Sequence, residues 1–221
     1  MYLLTETASP FALERWAAFF ANFGQFAKGF FYTLGISIGA LIVALLLGLI
    51  FGAMSSTHNK VLRGISRVYV EIFQNTPLLV QFVVVFYGIS ILTDGHVMIP
   101  ISLTAILCVG VYTGAYISEI IRTGIEAVPK GQTEAALSQG FTYADTMRII
   151  ILPQAVRTIL PPLTNQVVNL IKNTSTVAII SGADIMFTAK AWAYDTTNYV
   201  PAFAGAAFLY FIMCFPLATW A

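Results

Sequence analysis

The chain has 221 residues, 58% hydrophobic and 10% charged, with a mean hydropathy of +0.81 and a net charge of +1. Soluble domains carry about 25% charged residues, so this deficit puts the chain among membrane proteins, and near-neutrality leaves no basic field for nucleic acid and no acidic tail. Cys108 and Cys214 lie in apolar stretches outside any metal-ligand spacing, and His58 and His96 sit in separate loops without acidic or thiol neighbours, so no metal site is expected.

In chain order, residues 8–24 are rich in phenylalanine and carry Glu14 and Arg15, a composition suited to an interfacial helix. Residues 1–25 are therefore expected to form an external interfacial segment. No basic start followed by a compact apolar core marks a cleavable leader, so the spans themselves are expected to direct insertion. A bilayer crossing needs about 20 apolar residues. No Asp, Glu, Lys or Arg falls between Lys28 and Lys60, between Glu71 and Asp94, between Asp94 and Glu119, or after Asp195. These gaps give spans at about 27–54, 70–92, 99–121 and 199–220.

A fifth span, about 148–171, is less apolar: it holds Pro153, Arg157, Pro161, Pro162, Asn165, Gln166 and Asn169. Such residues persist at membrane depth when protein or a wet cavity satisfies them, so this span is expected inside the bundle, away from lipid. Thr174 to Ala189 is apolar but short and is expected as a helix packed at the outer side. The loop after the first span carries Lys60, Arg63 and Arg67, and the loop after the third carries Arg122, Lys130 and Arg148, whereas the loop after the second has no Lys or Arg. The positive-inside tendency puts the basic loops in the cytoplasm, the N-terminus outside and the C-terminus inside.

The third-to-fourth loop, about 122–147, holds the most informative pattern. Residues 134–153 read EAALSQGFTYADTMRIIILP: Glu134, Ala135 and Ala136, then Gly140, then Ile150, Leu152 and Pro153. A helix from Thr133 to Gln139 is expected, with Thr133 as its cap and Glu134 in its first turn. The two alanines would let another protein approach closely, and Gly140 would let the chain reverse.

This spacing resembles the EAA loop of ABC importer permeases. Glu71-Ile-Phe-Gln-Asn-Thr-Pro-Leu-Leu-Val-Gln81 and Tyr116-Ile-Ser-Glu-Ile-Ile-Arg-Thr-Gly-Ile-Glu126 resemble the polar amino acid branch of that family, from about residue 26 onward. Members commonly carry Arg where this chain has Gln74, so no guanidinium role transfers to that position. Tyr69-Val-Glu-Ile-Phe and Asn169-Leu-Ile-Lys-Asn173 are most similar to the glutamate/aspartate/glutamine systems.

The resemblance implies an all-α, type I importer permease bundle of about five transmembrane helices, one transmembrane domain over 1–221, with a cytoplasmic coupling helix. It implies a bacterial inner-membrane subunit that moves a polar amino acid but does not hydrolyse ATP. Its implied partners are a dimer of ATP-binding subunits that hold ATP and Mg, a second permease subunit, identical or similar, an extracytoplasmic binding protein and membrane lipid. Glu134, Ala135, Ala136, Gly140, Leu152 and Pro153 would couple to the ATPase. Members usually end in a basic cytoplasmic tail; this chain stops at Trp220-Ala221, so a truncated end is expected.

Read from the residues, the phosphate-cradling GxxxxGK[ST] pattern is absent, in keeping with a partner ATPase. Thr158, Pro162, Asn165, Asn169, Lys172 and Thr176 recur at helical spacing and line one face. Asn165, Asn169 and Lys172, with Glu71 and Gln81, are the candidate substrate pathway. Two plainer accounts stand beside it: Lys172 snorkels to the interface, sparing the about 2.5–3.5 kcal/mol that a mid-bilayer lysine costs on insertion scales, and Glu71 pairs with a loop arginine. Glu119 is expected to pair with Arg122. Gly35/Gly39, Gly48/Gly52 and Gly110/Gly114 are close-packing pairs. An ion-coupled secondary carrier or a channel subunit is the alternative, but no internal repeat is visible and neither requires the EAA-like loop.

Overall fold

The computed structural model describes Ser9 and residues 11–219. The first eight residues, Pro10 and the expected truncated end at Trp220-Ala221 lie outside the described residues. Every element within them is helical. A short α1, Leu13–Ala21, leads into α2, Phe23–Ser55. Then come α3, Lys60–Gln74, and α4, Leu78–Leu92, which bend against each other by 96°. The next helices are α5, Ile101–Glu126, and α6, Lys130–Ser138. A continuous helix α7 runs over 143–173, and a 3-10 turn follows at Thr174–Ile180. Two helices, α8 over Ile185–Thr196 and α9 over Tyr199–Thr219, complete the chain.

Glycine sets the central contact. Gly39 abuts Ile106, Gly110 abuts Val43, Gly48 abuts Ile117 and Gly52 abuts Ile121. Both members of each pair climb together along the chain, so α2 and α5 lie side by side and parallel. The approach is close: a Cβ on Gly48 would stand 2.4 Å from the Ile117 Cγ2. Parallel neighbours need a return crossing between them, which α3 and α4 supply. Ile36, Ala40, Ala44, Phe82, Val109 and Ile117 form the buried core of this half. A second core joins α1, α2, α8 and α9 around Phe19, Phe26 and Trp192, whose rings meet edge to face, with Phe19 seated over Gly205.

Three helices, α2, α5 and α9, are long and apolar enough to cross a membrane, and α3 with α4 makes a fourth, bent candidate. The span expected over 70–92 therefore contains a corner, at Pro77. Its break is hydrogen-bonded. Pro77 opens α4; the Asn75 amide and Thr76 hydroxyl donate back to the carbonyls of Glu71 and Ile72 at 2.8 and 2.7 Å; and the Gln81 amide donates to the carbonyls of Phe73 and Thr76 at 3.2 and 3.0 Å. Helix α3 is capped by the Asn59 side chain and has three sides. Val61, Ile65, Val68 and Ile72 are exposed, Ser66 and Tyr69 are buried, and Arg63, Arg67, Glu71 and Gln74 line a cleft of about 500 Å³ against α5.

The apolar stretch expected as one helix at Thr174 to Ala189 is two pieces. The 3-10 turn ends at Ser181 in the left-handed conformation (φ 61°), and α8 starts afresh at the Asp184 cap. Both pieces contribute to the cores, through Val177 and Ile180 to the first and Ile185 and Trp192 to the second.

Candidate functional site

One end of the molecule carries the EAA-like residues on a protruding helix. Helix α6 begins at Lys130 behind Pro129, without a side-chain cap, three residues earlier than expected. Thr133 therefore lies inside the helix, and Glu134 falls beyond its first turn. Glu134 and Ala135 face outward, while Ala136 is 3% exposed and packs toward the turn at Thr146–Ile151. The helix stops in a Schellman motif: the Phe141 N–H donates to the Ala136 carbonyl at 3.2 Å and the Gly140 N–H to the Leu137 carbonyl at 3.1 Å. That closure needs a left-handed residue at position 140, and Gly140 supplies it with φ +86°.

Helix α7 starts two residues later. The Thr142 hydroxyl caps it, accepting from the Asp145 N–H at 3.1 Å. Thr146–Ile151 widens to a π turn immediately before Leu152 and Pro153, and a proline N–H is missing from the ladder there. Leu152 and Pro153 are exposed, and Glu134 and Ile151 line one groove of about 650 Å³. The His58 ring meets Tyr143 edge-on at 5.1 Å in the same region, so the loop after α2 also touches this unit.

The candidate pathway residues divide. Asn165, Asn169 and Lys172 are exposed along one face of α7 with Thr158 and Pro162. The opposite face, with Ala155, Val168, Leu170 and Ile171, is buried. Within this chain the apolar side of α7 packs inward and the polar stripe turns away from the core. Only Thr176, beyond the helix, is half-buried. Pro161 and Pro162 also leave the Arg157 and Thr158 carbonyls without their helical donors on this face.

Glu71 and Gln81 do not join that stripe. Glu71 is exposed in the α3 cleft and bonded to Arg67 at 2.7 Å, the pairing that the plainer account expects. Gln81 is 9% exposed and its amide is committed to the α3–α4 corner. Across the cleft, Arg122 pairs with Glu119 as expected and also with Glu126 at 2.5 Å. Gln74, at the position where arginine is common, donates to the Ala115 carbonyl at 3.2 Å.

Sequence reasoning passed over Asp184, which is completely buried at the start of α8. Its signal was available: an ionisable residue in an otherwise apolar run is a functional candidate by default.

Comparison with known proteins identifies the family and the fold. Residues 44–221 match the family described as "Binding-protein-dependent transport system inner membrane component". The "Probable glutamine ABC transporter permease protein GlnM" of Bacillus subtilis is 38% identical over 202 residues, covering 90% of this chain and 91% of the relative. The "Glutamate/aspartate import permease protein GltJ" of Escherichia coli is 35% identical over 187 residues, 76% of each chain. A solved amino acid ABC transporter with histidines superposes with a TM-score of 0.85 at 31% identity, covering 93% of this chain and 94% of that one. The inward-facing MetNI methionine ABC transporter shares the fold, at a TM-score of 0.70 and 16% identity. The chain belongs to the binding-protein-dependent transport system inner membrane components, the permease subunits of ABC importers, and is a multi-pass inner-membrane member of that family.

Proposed function

We propose that this permease carries a polar amino acid, with glutamine, glutamate and aspartate favoured, through a path partly lined by Asn165, Asn169 and Lys172. The names of its relatives and the presence of a cation beside two amides support this substrate class. A second permease subunit, the same chain or a paralogue, covers the polar stripe, an external binding protein delivers the amino acid, and a pair of ATPase subunits holds ATP and Mg. The chain itself takes no cofactor.

The observation that carries this reading is one continuous helix. Its start at 143–153 is packed against the exposed α6 knob, and its later half bears the exposed polar stripe. A push on Glu134, Ala135 and Gly140 moves Ala136, hence the turn at Thr146–Ile151, hence Leu152, Pro153 and the whole rod. Lys60 and Arg63 follow α2 in the sequence, and Lys130 and Arg148 flank the knob, which favours a cytoplasmic knob, an external N-terminus and an internal C-terminus. Uptake into proteoliposomes holding the chain, its ATPase and its binding protein tests the reading. Uptake should stop without ATP and survive collapse of the proton gradient; uptake that follows the gradient and ignores ATP would sink it in favour of a secondary carrier.

A further inference from the structure

Asp184 is a fully buried carboxylate with no salt-bridge partner among the described residues. Its two oxygens accept the N–H groups of Met186 and Phe187, each at 3.1 Å, at the N-terminus of α8. Tyr210 donates its hydroxyl to the same carboxylate at 3.2 Å. Tyr210 sits at the middle of the 21-residue α9, so this junction lies well inside the bilayer. Helix α2 completes it: Thr33 accepts the Ile185 N–H at 3.2 Å, and Gly29 leaves room where a Cβ would stand 2.9 Å from the Thr188 hydroxyl. A buried charge without a cation is costly unless hydrogen bonds hold it, and here they come from two helices at once.

Helix capping alone explains the two amides but not the phenol. Tyr210 has a second role in the geometry: its ring lines two surface grooves, of about 290 and 350 Å³, and Lys172 lines both. Tyr210 thus connects the buried carboxylate with the end of the polar stripe. We propose that Asp184 is a positioning residue for transport: through Tyr210 it fixes the groove wall beside Lys172, so that movement of α7 is converted into passage of substrate. This rests on the reading of Asn165, Asn169 and Lys172 as path.

The test measures amino acid moved per ATP hydrolysed, in proteoliposomes of the assembled transporter. A change in fold stability or assembly lowers both rates together, whereas loss of positioning lowers their ratio. Tyr210→Phe, which keeps both cap bonds, should lower the ratio at least threefold. Asp184→Ala should lower it at least tenfold, and Asp184→Asn should restore it to within twofold, because the amide oxygen keeps one cap bond and the amide nitrogen can donate to the Tyr210 oxygen in its turn. An unchanged ratio in Tyr210→Phe overturns the proposal even where Asp184→Ala fails to assemble. So does an Asp184→Asn variant as impaired as the alanine. Lys172→Gln separates the two layers: normal uptake there defeats the path reading, while impaired uptake there beside a normal Tyr210→Phe defeats the positioning role alone.

Discussion

The α2–α5 pair and helix α7 pack against one another but solve opposite problems. The pair is charge-free from Gly29 to Asn59 on one side and from Gly95 to Ser118 on the other, and glycine lets the two backbones touch. Helix α7 carries three prolines, Arg157 and a stripe of amides, and turns that stripe away from its own chain. Close packing makes the first region a frame; an unsatisfied polar face makes the second a part that is finished only by something outside the chain. Stability should concentrate in one and function in the other, and substitutions can separate them.

The largest effect should come from filling the frame. In Gly48→Val the new Cβ falls 2.4 Å from Ile117, and overpacking of this kind costs typically about 1–3 kcal/mol, more where backbones already touch. We expect loss of folded protein, read as the aggregated fraction on gel filtration in detergent. Gly35→Val, in the same helix but with no atom within 4 Å of its Cβ position, should leave the elution unchanged. Equal damage from both would dissolve the contrast.

Next comes the knob. Gly140→Val forces a β-branched residue to φ +86°, where the left-handed penalty is about 1–2 kcal/mol. The Schellman closure should open, uptake should fall at least tenfold, and membrane insertion should be normal by cell fractionation. Uptake at the wild-type rate would mean that the turn carries no force.

The stripe is third. Asn165→Leu with Asn169→Leu replaces two exposed amides, which make no side-chain hydrogen bonds among the described residues, by apolar groups. Thermal unfolding should shift by only a few degrees, while uptake should drop about tenfold if the stripe is wet. A variant that loses stability and uptake together would reassign this face to a polar helix contact.

Much of this contrast could be read in the sequence, and the reasons are local. Charge gaps locate α2, α5 and α9 because a charge facing lipid is costly anywhere in the about 20 residues of a crossing. The Gly48/Gly52 and Gly110/Gly114 spacings mark the frame, and Gly140 marks the turn. Spacing also reveals the face of α7 that is polar, but not the direction it points, because that depends on what packs behind Ala155 and Leu170. The 96° corner escaped notice because Pro77 fits a straight helix start equally well; the Gln81 amide, seven residues from Gln74, is what holds the bend. Thr133 resembled a cap, yet Pro129 starts the helix earlier with its extended ψ of 133°. Asp184 is legible too, as an ionisable residue in an apolar run, but its burial and its Tyr210 partner are set by α9 and show only in the fold.

The smallest expected effect lies in the α3 cleft, and it sharpens the comparison from the side of charge. Arg67 and Glu71 form an i,i+4 pair at 2.7 Å, with side chains 79% and 58% exposed. Pairs this exposed contribute little to stability and are screened by salt. Glu71→Gln should therefore change thermal stability by less than a degree or two and leave uptake within twofold, unlike the stripe substitutions. The neutral side chain still fills the cleft wall, so packing is conserved and only the charge is removed. A tenfold loss of uptake in Glu71→Gln at unchanged stability would move Glu71 back into the substrate path and extend the functional region from α7 to the corner helix.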